Sequence, residues 1–362
     1  MLTRDRSLSL PFALRVIARN TGYEIDGDDL NAAMGLSWMT TAVTSEKDLG
    51  RWPTYARDAF LIEAGRLFGM GIRDMHPPEA ARGLSDLPEF LQHFDASYRP
   101  LVLLALENNQ PVLAWRGWPG EREMLWGIIT NPCDEGIGFA GRVAWPSVAP
   151  PCGPERESAM PAPSAWACHP TRTVSPSCAS AKEADEVTLN NPPVQLYVVE
   201  TITPAQPEPD AVLSLALDHA RRILNNELEQ RFGVRTGPAA YDAWIAKVRS
   251  DDAQDAEHRD LVEGHREMAA SVLAGHRSTI RFLKRHLTRS TPATRSLTET
   301  LADKCQKIVT AAGEALDAAV DDAWVSTPSG RAAVTDPIAR ARDAANELLA
   351  ALNAHAQTTK SK

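Results

Sequence analysis

Ser9, His76, His93 and Cys133 are the residues through which the first half of this chain could perform nucleophilic chemistry. A hydroxyl or thiol becomes a useful nucleophile only beside a base, and histidine is the usual base. Ser9 stands just before Leu10 and Pro11 at the head of an apolar segment. That position suits a helix N-cap, with Pro11 in the first turn, as well as a nucleophile. His76 sits beside Pro77 and Pro78, where the residue preceding each proline avoids the helical region. His93 falls within a predicted helix. Cys133 is followed by Asp134 and Glu135, whose charges work against thiolate formation.

The second half offers a different pattern. His258, His265 and His276 are spaced by 7 and 11 residues, which places them on one face of a helix. Val262, Val272, Leu273, Ile280 and Leu283 share that face, so the histidines line an apolar stripe. At about 1.5 Å per residue, His265 and His276 lie roughly 16 Å apart, too far to share one ion. A metal or cofactor would need ligands from a second helix, such as His219. Core histidines with hydrogen-bonded partners are the plainer reading, and a ligand-lining role for His265 and His276 is the alternative.

Tryptophan is unevenly distributed: seven of nine precede residue 170. Trp38, Trp115, Trp118 and Trp126 are candidate ligand contacts, and Trp115 and Trp118 flank a predicted hairpin turn, where exposed indoles mark contact surfaces. Packing within the protein accounts for them equally. There is no G-x-G-x-x-G and no P-loop lysine.

These residues must be positioned by elements readable from pattern. A first helix runs from about Leu10 and stops at Gly22, a second covers Asp28 to Met34, and a third covers Tyr55 to Phe68 with Gly69 as its stop. Arg73 to Pro78 reads as an extended linker, followed by a helix over roughly Asp86 to Glu107 that Pro100 interrupts. Residues 110–115, 124–130, 138–145 and 194–202 read as strands, apolar and rich in β-formers. Between them, 146–193 is dominated by proline, serine and alanine, too little apolar surface to offset its ordering entropy. The remainder is helical: 210–232, 241–248, 256–286, 297–325 and 337–355, the pattern of an up-and-down bundle.

Composition narrows the function classes. The chain has 362 residues and a net charge of −9, so broad phosphate neutralisation, and with it nucleic-acid binding, is not expected. Its five cysteines are irregular and lack a Cys-x-x-Cys, so neither a disulfide framework nor a zinc ribbon is expected, and no cofactor is implied. Arginines at 4, 6, 15 and 19 break any signal-peptide core, and no uncharged apolar run approaches 18 residues. A cytoplasmic protein of bacterial type, without a membrane span, is the expectation.

The first helix from Ser9, the turn Met34-Gly-Leu-Ser-Trp38, the pair Gln110-Pro-Val and Trp126-Gly-Ile-Ile-Thr130, and the later Pro209-Asp-Ala-Val-Leu213 and Tyr241-Asp-Ala-Trp244 form one series. In this series the chain resembles papain-like bacterial proteins related to the butirosin-biosynthesis acyltransferase and the bacteriocin-processing peptidases. The resemblance implies an α+β papain-like domain with a small antiparallel sheet over residues 1–204, interrupted at 146–193, and a helical domain over 205–362. It also implies a nucleophilic cysteine at the start of the first helix and a histidine on the strand near residue 124. This chain has Ser7, Ser9 and Pro11 in the first place and Met124, Leu125 and Trp126 in the second. The expected function is therefore a catalytically degenerate papain-like module that binds a small molecule, peptide or protein. Two alternatives stand beside it: a hydrolase or acyltransferase with a relocated nucleophile, and a metal or cofactor site in the helical domain.

Overall fold

The computed structural model describes residues 9–43, 58–75, 92–118, 125–133, 138–143, 186–189, 191–226, 234–250, 255–288 and 292–360. They form a mixed α and β chain with one six-stranded antiparallel sheet, one two-stranded sheet and a C-terminal run of helices. Two compact units account for it. One joins Leu8–Gly27 to Gly65–Gln206; the other joins Asp28–Ala64 to Pro207–Lys362. The segment 28–64, which the pattern reading grouped with the N-terminal domain, thus clusters with the C-terminal helices.

In the α+β unit, α1 (Ser9–Asn20) ends at Gly22, whose φ of 78° is the left-handed conformation that a side chain disfavours. The strands are β2 (Met70–Asp74), β3 (Val112–Trp115), β4 (Trp126–Cys133), β5 (Gly138–Val143), β6 (Glu186–Thr188) and β7 (Gln195–Ile202), in the order β2-β7-β3-β4-β5-β6. Two of these differ from the sequence expectation. Arg73 and Asp74, read as linker, belong to β2, because β7 supplies the ladder for Met70–Asp74. Glu186–Thr188, read as part of the low-complexity stretch, pairs with β5; residues 144–185 lie outside the described residues. The helix expected up to Glu107 is a π-turn, Phe94–Tyr98, followed by α4 (Arg99–Glu107). Pro100 lacks the N–H that would bond four residues back, so the ladder widens before it and α4 starts afresh.

Strand alternation divides this unit's interior. One face of the sheet carries Val112, Ala114, Ile129, Leu196 and Val198, packed with Phe94, Tyr98 and Val102 of the helical segment. Trp118 joins this cluster, 1% exposed, and its Nε1–H donates to the Ala114 carbonyl at 3.2 Å. Gly127 and Gly141 make room for its indole: a Cβ there would lie 2.5 and 2.9 Å from the ring. The other face carries Trp115, Trp126 and Tyr197, with ring centroids 6.5 and 5.6 Å apart in succession. Helix α1, none of whose residues joins the first cluster, packs on β4 from that side.

In the helical unit, α2 (Gly27–Ala33), the turn Leu36–Trp38 and β1 (Thr41–Val43) precede α3 (Asp58–Leu67), which runs across the division between the units. Then come α5 (Pro209–Leu224), β8 (Val234–Thr236), α6 (Pro238–Arg249), α7 (Asp255–Leu287), α8 (Pro292–Ala318) and α9 (Pro328–Lys360). Three of these bounds depart from expectation. Helix α5 ends at Leu224 rather than near Phe232; α8 ends at Ala318 and a separate 3-10 turn covers Asp322–Ser326. Helix α9 starts nine residues before Pro337, because the Thr327 hydroxyl accepts the Gly330 N–H at 3.0 Å and Pro328 fits the first turn. Helices α7, α8 and α9 pack in sequence, and α6 and α5 pack against α9.

Candidate functional site

The α1–β4 contact is where the residues expected to do chemistry would have to meet. Ser9 is 4% exposed, and its hydroxyl accepts the backbone N–H of Trp126 at 3.1 Å. The apolar stripe of α1, with Leu10, Leu14 and Ile17 buried, presses the serine onto the strand. The strand meets it with backbone, and its adjacent side chains, Leu125 and Trp126, are apolar and 2–3% exposed. Ser9 therefore joins a helix start to a strand.

The other candidates lie elsewhere. His93 precedes the π-turn and places its ring edge-on to Tyr98, with centroids 5.4 Å apart. Tyr98 belongs to the cluster on the α4 side, so the sheet lies between His93 and Ser9. Cys133 is half-buried at the far end of β4, where its backbone pairs with Gly138. At about 3.3 Å per residue it is roughly 23 Å along the strand from Trp126. His76 falls outside the described residues. The proposed indole contacts are interior: Trp38, Trp115, Trp118 and Trp126 are 0, 1, 1 and 3% exposed. The continuous apolar runs around Trp115 and Trp126 carried that signal, since both fall on strands buried on both faces.

The helical unit holds the buried titratable groups. His265 and His276 are 0 and 1% exposed on α7. Burial depresses His276 to about 4. The same desolvation, with the charge of Arg266 and against a bond to the Ala315 carbonyl, brings His265 to about 4. Both rings are neutral at pH 7. The His265 Nε2–H donates to the Ala315 carbonyl at 3.2 Å, which leaves Nδ1 as the acceptor nitrogen. Its ring contacts both Trp244 and Trp324, each 5.3 Å away by centroid. His276 lies beside the contact of α7 with the turn Leu36–Trp38, where the Thr279 hydroxyl donates to the Ser37 carbonyl at 3.0 Å. Among the described residues no three His, Cys, Asp or Glu side chains are grouped to hold a metal ion.

A site that spacing alone did not assemble lies on α5. His219 is fully buried; its Nδ1 is 2.6 Å from the Ala33 carbonyl, at the C-terminus of α2, and its Nε2 is 2.8 Å from Glu63 on α3. Both ring nitrogens thus meet protein oxygens, the Ala33 carbonyl and the Glu63 carboxyl, which fixes the ring between α2 and α3. Phe60 stacks on the ring at 4.0 Å, and the Arg222 guanidinium lies over the Phe60 ring at 4.7 Å. Nearby, Asp28 and Asp29 at the start of α2 receive Arg281 and Arg285 from α7 at 2.7–3.2 Å, and Ser278 also donates to Asp28. Burial opposes ionisation of both carboxyls, but the bonds of Arg281 and Ser278 to Asp28, those of His286 and Arg285 to Asp29, and the guanidinium charges outweigh it and hold both below the usual carboxylate value. Burial pushes the Cys305 thiol far up, so it is inert as a nucleophile.

No family model matches the chain, and no curated protein matches it. Among the described residues no helix is long and apolar enough to cross a membrane.

Proposed function

We propose that this protein is a non-catalytic, papain-like binding module: it keeps the helix-on-sheet frame of such hydrolases and has lost their acyl chemistry. One observation carries the reading. The hydroxyl at the start of α1 is buried and engaged by the Trp126 N–H, in the place where a nucleophile would need an open approach and a facing base. Leu125 and Trp126 occupy the adjoining strand positions with apolar side chains. A substrate carbonyl cannot reach Ser9 Oγ without parting α1 from β4. The antiparallel order around β4 and the packing of α1 on it support the papain-like frame.

The test is labelling of the purified full chain with a fluorophosphonate and, separately, with iodoacetamide, read by intact mass and peptide mapping. No fluorophosphonate adduct is expected at Ser9, and iodoacetamide modification of Cys133 is expected at the slow rate of an ordinary thiol. A stoichiometric Ser9 adduct that disappears in Ser9→Ala overturns the proposal.

A further inference from the structure

We propose that Trp244, His265 and Trp324 form a binding site for one neutral hydroxyl group, supplied by an ordered water or by a small alcohol. The site goes beyond the role proposed above, because it belongs wholly to the helical unit and does not depend on the state of Ser9.

The indole Nε1 of Trp244, the indole Nε1 of Trp324 and the Nδ1 of His265 are all buried and have no hydrogen-bond partner among the described residues. The three residues are 0, 5 and 0% exposed, and the two indoles each contact the one imidazole. A buried polar group left unpaired costs about 1–3 kcal/mol, and folded proteins pair about nine in ten of them, often through water. Three such atoms in one ring cluster therefore point to a common guest.

Their chemistry selects its class. An indole N–H only donates. The His265 Nε2–H is committed to the Ala315 carbonyl, so Nδ1 presents a lone pair and accepts. Two donors and one acceptor are the complement of a hydroxyl, which accepts two hydrogen bonds and donates one. A metal cation fits poorly, because the indoles offer no lone pair to ligate it. An anion would meet the Nδ1 lone pair and, with the ring neutral, no compensating charge.

The frame around the site is fixed, which a specific guest requires. Trp324 is carried by the Asp322–Ser326 turn. Arg266, next to His265 on α7, donates to the carbonyls of Ala319 and Val320 and to Asp322 at 2.8–3.3 Å. Asp321 accepts the Ala323 N–H at 3.1 Å, and Arg331 donates to the Val325 carbonyl at 2.8 Å. Asp321, Asp322 and Ala323 are exposed, so the buried Trp324 follows directly on a surface stretch of the turn that carries it.

The experiment is a high-resolution crystal structure of the full chain, followed by a soak in ethanol, with folding equilibria of two indole variants measured in urea. The expected result is a density peak within about 3 Å of His265 Nδ1 and of at least one indole nitrogen. A single-atom peak that persists in ethanol identifies water, and a peak that lengthens identifies an alcohol site. Trp244→Phe and Trp324→Phe are each expected to lower the folding constant by up to about tenfold, and the pair together by clearly less than the product, because the first loss already weakens the shared guest. The absence of a peak at His265 Nδ1, or effects that multiply fully, overturns the proposal.

Discussion

The two units differ in which polar groups they bury. In the α+β unit the interior is aromatic, and its polar atoms at the α1–β4 contact and beneath Trp118 are satisfied by backbone: Ser9 takes the Trp126 N–H, and Trp118 gives its own to Ala114. Among the described residues, every buried histidine belongs to the helical unit: His219, His265, His276 and His286. A sheet has ladder ends and strand backbone close to each side chain. Helices consume their backbone internally and leave side chains to pair with one another, with helix termini or with guests. The contrast assigns pH sensitivity to the helical unit.

The largest effect that would break this comparison comes from acid. His265 and His276 have folded values of about 4 against an ordinary 6.5. The unfolded chain therefore binds protons first. Stability is full above pH 6.5 and falls as pH drops from 6.5 toward 4, by about 3 kcal/mol for each ring. Asp28 and Asp29, held low, contribute only below that window: their support is present above the ordinary carboxyl value of 3.8 and is lost as pH falls through their lower folded values. Hydrogen exchange corrected for intrinsic rates, compared at pH 7 and pH 4.5, should show loosening in α7 and α8 while β3, β4 and β7 hold. Equal loosening of the sheet would erase the distinction.

His219→Ala is expected to rank next. It removes both bonds of the ring, leaves the Ala33 carbonyl unpaired and strips the stack on Phe60, for a loss of about 3 kcal/mol confined to the helical unit. Urea denaturation followed by peptide-level exchange would locate the loss; an unchanged midpoint would show that the clamp is idle. Ser9→Ala is smaller, about 1–2 kcal/mol, because one N–H loses its acceptor while α1 keeps its apolar contacts. Its loss should appear in the α+β unit alone, read in the same way.

What the sequence determined by itself was local. The apolar, β-rich runs marked β3, β4, β5 and β7 within a few residues, because strands buried on both faces need no partner to look apolar. Gly22 and Gly69 marked helix ends through a conformation their neighbours cannot adopt, with φ of 78° and 74°. The spacing of His265 and His276 placed both on the apolar side of α7, and the serine at residue 9 marked the start of α1. Tertiary structure decided everything that depends on a partner far along the chain. Met70–Asp74 became a strand only because β7 supplies its ladder. Segment 28–64 joined the helical unit through contacts with residues more than 150 positions away, such as Asn31 with Ser278 and Thr40 with Tyr241. His219 found Glu63 and Ala33, and His265 found two indoles, on four different elements. Periodicity reports which face of an element is buried, since burial follows from each residue's own hydrophobicity. It carries no information on which faces meet, and chemistry at a site depends on that meeting.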